Sequence, residues 1–141
     1  MLVRLITTTS FVLTLFKFHE ILGAAIQFED KKMTLSAIEK LNKWEKAFST
    51  GNTSEVEEML AEDYIFENTD GNHETKNEVL SWVSKGGQSI GDFKVYHEDE
   101  SIICGRHSYK QDGEHEWEVM FFARFENNKC KFWKVHGGVK N

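Results

Sequence analysis

The segment from Trp117 to Glu126 constrains the fold more than any other part of the sequence. Apolar side chains recur there at every second position, namely Trp117, Val119, Phe121, Ala123 and Phe125. Successive side chains of a β-strand point to opposite faces, so this set would lie on one face of a sheet. A strand with one wholly apolar face predicts a sheet that is covered on that side by other elements.

Three further segments around this one are also typical of strands. Residues 93–98, 101–110 and 129–136 are rich in β-branched and aromatic residues, and short polar turns separate them from one another. Together with residues 115–126 they predict a meander of four antiparallel strands.

The residues before the meander predict three helices. Ser36 with Glu39 and Thr75 with Glu78 are capping boxes, which mark helix starts, and glycines follow both predicted helices at Gly51 and at Gly86. Between them we expect a short helix that opens at residues 52–55 and runs towards residue 63, then a strand over residues 64–68, a tight turn and a return strand. Helices first and sheet afterwards indicate an α+β fold with three N-terminal helices packed on the sheet.

Length and charge restrict the domain organisation and the partners. The chain has 141 residues and a formal net charge of −6, with no run of Lys and Arg. We therefore expect one domain, over residues 34–138, and no nucleic-acid partner. No phosphate-binding glycine loop and no cluster of His and Cys occurs, so we predict neither a cofactor nor a metal. Cys104 and Cys130 lie on predicted strands that are not adjacent, which favours free thiols.

Residues 1–33 allow two interpretations. An apolar stretch over residues 5–16 follows Arg4, and small residues at 23–25 resemble a signal-peptide cleavage site. The alternative is an N-terminal extension ahead of a cytosolic domain, which we favour slightly because charged residues interrupt the approach to that site. The stretch is too short for a stable membrane span, which needs roughly 20 apolar residues.

The residues from Trp44 to Asn52 and from Met59 to Asn68 resemble the opening of the nuclear transport factor 2-like superfamily, which includes SnoaL-like cyclases, ketosteroid isomerases and limonene-epoxide hydrolases. The segment 128–136 is similar to the last strand of that family. The resemblance covers roughly residues 34–138. It implies a strongly curved sheet that forms a cone with the helices, the cystatin-like α+β fold, and a cavity open at one end.

The resemblance does not carry over the known catalytic groups. The positions of the catalytic Tyr, Asp and basic Asp of the isomerases align here with Trp44, Phe121 and Asn68. None of these side chains can perform the same step, because none is an acid or a base near neutral pH. The acids of the epoxide hydrolases would align with Ser108 and Gly138, so that set is not intact either.

His107 and Asn68 are the candidate catalytic residues. The alternation of the strand 101–110 directs His107 into the implied cavity, where an imidazole could transfer a proton, and Asn68 would lie across from it. The remaining predicted substrate-binding residues are mostly large and apolar, and they are Trp44, Trp82, Ile103, Val119, Phe121 and Trp133.

Two hypotheses of function follow. The first is a protein with an apolar small-molecule pocket, in which acid–base chemistry of the isomerase or dehydratase type is one option. The second is a non-catalytic module for dimerisation or protein interaction. It rests on Met120 and Phe122, which place apolar surface on the opposite face of the sheet and favour a homodimer through that face.

Overall fold

The computed structural model describes residues 34–141, which form one compact unit, Thr34–Asn141. The interpretations of residues 1–33 as a signal peptide or an extension lie outside the described residues. The elements in chain order are α1 (Ala37–Thr50), α2 (Ser54–Met59), β1 (Leu60–Glu67), β2 (His73–Thr75), α3 (Lys76–Val83), β3 (Gln88–Glu98), β4 (Ile102–Gln111), β5 (Trp117–Glu126) and β6 (Lys129–Val139).

Both predicted capping boxes are present. The Ser36 hydroxyl accepts a hydrogen bond from the Glu39 amide at 3.2 Å, and the Glu39 carboxylate accepts one from the Ser36 amide at 2.7 Å. Thr75 and Glu78 make the same exchange at the start of α3. Each box satisfies amide groups that the first turn of a helix leaves without partners, which explains why these helices begin where the sequence predicts.

Gly51 ends α1 in a conformation that favours glycine. Its φ angle is +77°, and a Cβ atom at this position would lie 2.5 Å from the carbonyl oxygen of Ser84 at the end of α3. The ends of α1 and α3 therefore meet closely, and a glycine is needed both for the backbone angle and for the approach.

The second helix is shorter than predicted. It ends at Met59, and Leu60 already pairs with Cys130 of β6 as the first residue of β1. The helix predicted to run towards residue 63 includes Leu60. At the boundary between two elements, a single apolar residue is compatible with the period of a helix and with that of a strand. Pairing with a strand that is about seventy residues away along the chain decides the outcome.

The six strands form one sheet in the order β2-β1-β6-β5-β4-β3. The four-stranded meander is confirmed, although β3 begins at Gln88, earlier than predicted, and β6 continues to Val139. The sheet is not wholly antiparallel as expected, since β1 runs parallel to β6. No local pattern could reveal the relative direction of two strands so far apart in the sequence.

Irregular pairing bends the sheet. The register between β3 and β4 shifts between Gly91 and Lys94, where Asp92 has a positive φ of 48°, and the register between β5 and β6 shifts between Arg124 and Phe125. Bulges of this kind bend a strand and increase its twist. The curved, unclosed sheet can therefore wrap around the helices on its inner face.

The inner and outer faces of β5 differ as the alternation predicts. Val119, Phe121, Ala123 and Phe125 are buried against the helices. On the outer face, Met120 and Phe122 keep 46% and 38% of their surface exposed. Phe122 pairs with Cys104 and Lys134 across the neighbouring strands, and Met120 with Arg106 and His136, and we call these six residues the outer patch.

The space between helices and sheet has two ends of different character. At the first turn of α1, the Ala37 amide donates to the Glu98 carboxylate at 2.8 Å, and the Lys40 ammonium lies 4.2 Å from the ring centre of Phe125. We call this the closed end. At the last turn of α1, Phe48 meets Trp82 of α3 and Tyr109 of β4 at ring-centre distances of 5.6 and 6.2 Å. We call this the open end.

Both cysteines are free thiols, as predicted, and β5 separates their strands. Cys130 is buried and Cys104 is half-buried. Between residues 34 and 141 there is no helix with the length and apolar character that crossing a membrane requires.

Candidate functional site

A cavity of about 370 Å³ lies at the open end. Ligand sites for small molecules commonly begin at about 300 Å³, so the space is sufficient for a small organic molecule. All four tryptophans of the chain line it, although they come from four different elements. The complete lining is Leu41, Trp44, Phe48, Phe66, Asn68, Thr69, Asp70, Val79, Trp82, Ile90, His107, Tyr109, Trp117, Val119, Trp133, Val135 and Gly137.

Six of the seven aromatic rings of the lining contact one another in a continuous chain. Trp44 meets Trp133 edge to face, with ring centres 5.7 Å apart and planes inclined at 65°, and it lies 5.8 Å from Phe48. Phe48 leads on to Trp82, which lies 6.1 Å from Phe66. These distances lie within the range of favourable aromatic pairs, so the contacts between the rings stabilise the walls of the cavity.

His107 is the one histidine that lines the cavity. Its Nδ1 atom donates to the carbonyl oxygen of Ser108 at 2.9 Å, and its ring packs 5.9 Å from that of Phe121. Burial lowers the pKa of His107, and the hydrogen bond to Ser108 opposes this only in part. Within the described range 34–141 no hydrogen bond reaches Nε2. The neutral ring therefore offers an unoccupied acceptor atom.

Asn68 has a structural task in the turn between β1 and β2. Its side-chain oxygen accepts from the amides of Asp70 and Asn72 at 3.0 and 3.1 Å, which fixes the turn. The Thr69 hydroxyl accepts from the Gly137 amide at 3.0 Å and ties the same turn to the end of β6. Only the amide nitrogen of Asn68 is left to donate to a ligand, so Asn68 can orient a ligand but cannot accept a proton from it.

Two more polar groups belong to the lining. The Tyr109 hydroxyl donates to the buried Gln88 side chain at 2.8 Å, and burial raises the pKa of Tyr109. The indole N–H of Trp44 is buried and, among residues 34–141, has no acceptor. An indole N–H of this kind usually has an acceptor when it is buried.

The structure brings together most of the residues predicted from the sequence, but two of them lie elsewhere. Trp44, Asn68, Trp82, His107, Val119 and Trp133 line the cavity. Ile103 and Phe121 do not. Ile103 is completely buried in the core, and Phe121 is stacked on Trp133 with ring centres 5.5 Å apart. Both side chains are buried, and the ring of Phe121 contacts the rings of Trp133 and His107, which line the cavity.

Sequence reasoning missed several lining residues. Trp117 belongs to the inward set of β5, so the alternation contained the signal. Phe48 and Phe66 also line the cavity, and an apolar ring on an inner face does not reveal from the sequence whether another ring covers it. Asp70 and Thr69 lie in a turn, where no periodicity indicates direction.

No group of three or more His, Cys, Asp or Glu residues that could hold a metal ion occurs among residues 34–141. The polar groups of the lining residues are the neutral imidazole of His107, the hydroxyls of Thr69 and Tyr109, the amide of Asn68, the carboxylate of Asp70 and one indole N–H on each of the four tryptophans.

No protein-family model and no curated protein matches the sequence. Solved structures do match the fold. An NTF2-like protein of unknown function from Cytophaga hutchinsonii is 15% identical, with a TM-score of 0.63, over 76% of this chain and 94% of that one. An LEH-like epoxide hydrolase from Mycobacterium tuberculosis is 10% identical, with a TM-score of 0.55, over 70% and 80%.

A third structure carries a ligand. It is a protein with a ketosteroid isomerase-like fold from Catenulispora acidiphila, in complex with trimethylamine, and it is 13% identical, with a TM-score of 0.54, over 70% of this chain and 84% of that one. These likenesses agree with the curved sheet and its helices, and the chain has the nuclear transport factor 2-like fold. The fold hosts different activities, so the function has to be argued from the cavity.

Proposed function

We propose that the domain binds a small organic molecule with an apolar or planar body in the cavity at the open end. The observation that carries this proposal is that all four tryptophans of the chain line one space of about 370 Å³. Rings that only filled a core would be expected to close this space, since protein interiors pack densely and leave few voids larger than a water molecule. Two structures with the same fold support the binding of a small molecule: one is an LEH-like epoxide hydrolase, and the other is a complex with trimethylamine.

His107 is the residue that we expect to orient this ligand. Its Nε2 atom can accept a hydrogen bond from a ligand hydroxyl, because Nδ1 is already committed to Ser108. The same lone pair could remove a proton from a ligand, with the Asn68 amide donating to the oxygen on which charge develops. Acid–base chemistry of the isomerase or dehydratase type is thus one use of the site, and it requires the binding step in any case.

The binding step can be tested with 2-naphthol, a planar neutral probe that carries one hydroxyl. We expect isothermal titration calorimetry to detect binding, and we expect Trp82→Ala and His107→Leu each to weaken it about tenfold, since each removes a contact worth about 1–2 kcal/mol. Tyr96→Ala is the matched control, because Tyr96 is an exposed aromatic residue outside the cavity. Equal binding by all four proteins would show that the probe does not occupy this cavity.

The outer patch supports a second candidate function, association through the sheet. Met120 and Phe122 are two residues apart on β5 and therefore lie on the same face of the sheet. Both are exposed. Exposed apolar side chains in the centre of a sheet face are typical of interaction surfaces. A second copy of this chain could cover them by symmetric contact of the two sheets.

Sedimentation equilibrium at micromolar concentration tests the association. We expect a dimer, and we expect Met120→Glu and Phe122→Glu to give monomers because a carboxylate would be buried without a partner. Ile38→Glu is the control, since Ile38 is an equally exposed apolar residue on α1. A monomeric mass for the unchanged protein would rule out the dimer.

A further inference from the structure

The cavity has an unusual balance of charge. Asp70 is the one carboxylate of the lining, and no Lys or Arg belongs to it. Among the described residues, the Asp70 carboxylate forms no ion pair and accepts no hydrogen bond, and only its backbone amide is engaged, with Asn68. The imidazole of His107 is neutral. Asp70, which is exposed at its turn, is therefore the one charged side chain of the lining, and no cation of the lining compensates it.

The aromatic lining adds to this preference. The faces of Trp, Tyr and Phe rings carry a negative quadrupole that attracts cations, and Trp attracts them most strongly. Seven aromatic residues line the cavity, and four of them are Trp. The protein's own cations do not use these rings. Within residues 34–141, the two cation–π contacts join Lys40 to Phe125 and Lys94 to Tyr96, and neither ring belongs to the lining.

The kind of cation follows from the small number of acceptors. A primary ammonium group or a metal ion needs several oxygen ligands to replace its water shell, and the cavity offers few of them besides Asp70. A methylated ammonium group is weakly hydrated and covers its charge with apolar surface. It can therefore replace water by aromatic faces alone, which is the arrangement that recognises quaternary ammonium ligands.

We infer that the cavity takes an organic cation with a tertiary or quaternary ammonium group, held among the rings of Trp44, Trp82 and Trp133 with Asp70 at the neighbouring turn. This inference rests on the proposed function and narrows it to one class of ligand. A neutral ligand of the same shape would gain the apolar contacts but neither the ring quadrupoles nor the carboxylate.

The test uses two ligands of the same shape that differ in charge. Choline carries a trimethylammonium group, and 3,3-dimethylbutan-1-ol carries a tert-butyl group in its place. Isothermal titration calorimetry at low salt should show that choline binds about tenfold more tightly than the neutral alcohol. Asp70→Asn should lower the affinity for choline several-fold and leave the affinity for the alcohol unchanged.

Asp92→Asn is the matched control, because it removes one exposed carboxylate that does not line the cavity. It should leave both affinities unchanged, and thermal unfolding should show that all variants remain folded. If the alcohol binds as tightly as choline, or if only 2-naphthol binds, the inference is overturned while the proposed pocket stands. If none of the three probes binds, both the inference and the proposed function fail.

Discussion

The closed end and the open end lie between the same helix, α1, and the same sheet, yet only the open end contains a cavity. At the closed end the small side chains of Ala37 and Ala123 accompany the ring of Phe125, and all three are buried. At the open end six elements, α1, α3, β1, β4, β5 and β6, each contribute at least one large ring. The large rings of the open end leave a cavity between them, whereas alternating large and small side chains interdigitate and fill the space.

An aromatic residue in this chain has one of two roles, and its place along α1 and the sheet decides which. Phe125 at the closed end stabilises the fold by burial. Trp82 and Trp117 at the open end are only half-buried, and a ligand would complete their contacts. The two roles can be separated by experiment, because stability and binding are measured independently.

The largest effect is expected at the closed end. Phe125→Ala should lower the free energy of unfolding by about 3–5 kcal/mol, because the site is tightly packed and cannot collapse around the lost ring. Trp117→Ala should cost less than half as much, although it removes a larger side chain. Urea denaturation measures both. Equal losses would mean that the open end is packed like a core, and the distinction between the ends would be wrong.

A smaller effect is expected from the buried imidazole of the open end. Because burial lowers the pKa of His107, the unfolded chain takes up a proton at higher pH than the folded chain does. The stability contributed by the neutral ring is thus complete above the unfolded pKa of about 6.5 and is lost as the pH falls through the lowered folded pKa.

Chemical denaturation from pH 8 to pH 5 should therefore show a loss of stability that is less steep in His107→Gln. Hydrogen bonds lower the pKa of carboxylates such as Glu55 and Asp99, so their protonation also destabilises the fold, but at lower pH. The His107 variant separates the contribution of the imidazole from that of the carboxylates. Parallel curves for the two proteins would contradict a neutral, buried His107.

The smallest effect is expected in the reactivity of the two thiols, which differ in burial on the two faces of the sheet. Cys104 is half-buried in the outer patch, whereas burial raises the pKa of Cys130 to about 12 on the inner side. A thiol reagent such as DTNB should label one cysteine per native chain and both after denaturation. Peptide mapping should identify the native site as Cys104. If a dimer covers the outer patch, Cys104 should react with DTNB faster in Phe122→Glu than in the unchanged protein.

The sequence predicted the helices and the meander well because their signals are local. Capping boxes, the glycine at position 51 and the alternation in β5 each act within a few residues. The parallel pairing of β1 with β6 and the early start of β1 at Leu60 depend on contacts across the chain, and no local pattern contains them.

The candidate site was predictable only in part. Periodicity predicted that His107 and Phe121 face inward, but not that Phe121 is stacked on Trp133 and does not line the cavity. Depth within a cavity depends on which ring stacks over which, as Trp133 does over Phe121. Asp70, the one carboxylate of the lining, lies in a turn, where no periodicity indicates which way a side chain points.

The most direct test of a ligand cavity lined by every tryptophan is fluorine NMR of the protein labelled with 5-fluorotryptophan. The chain has four tryptophans, so four resonances are expected, and all of them report on the same space. Saturating 2-naphthol should shift all four resonances. If the probe shifts none of them, or only one, the tryptophans do not surround a common ligand and the proposed pocket is wrong.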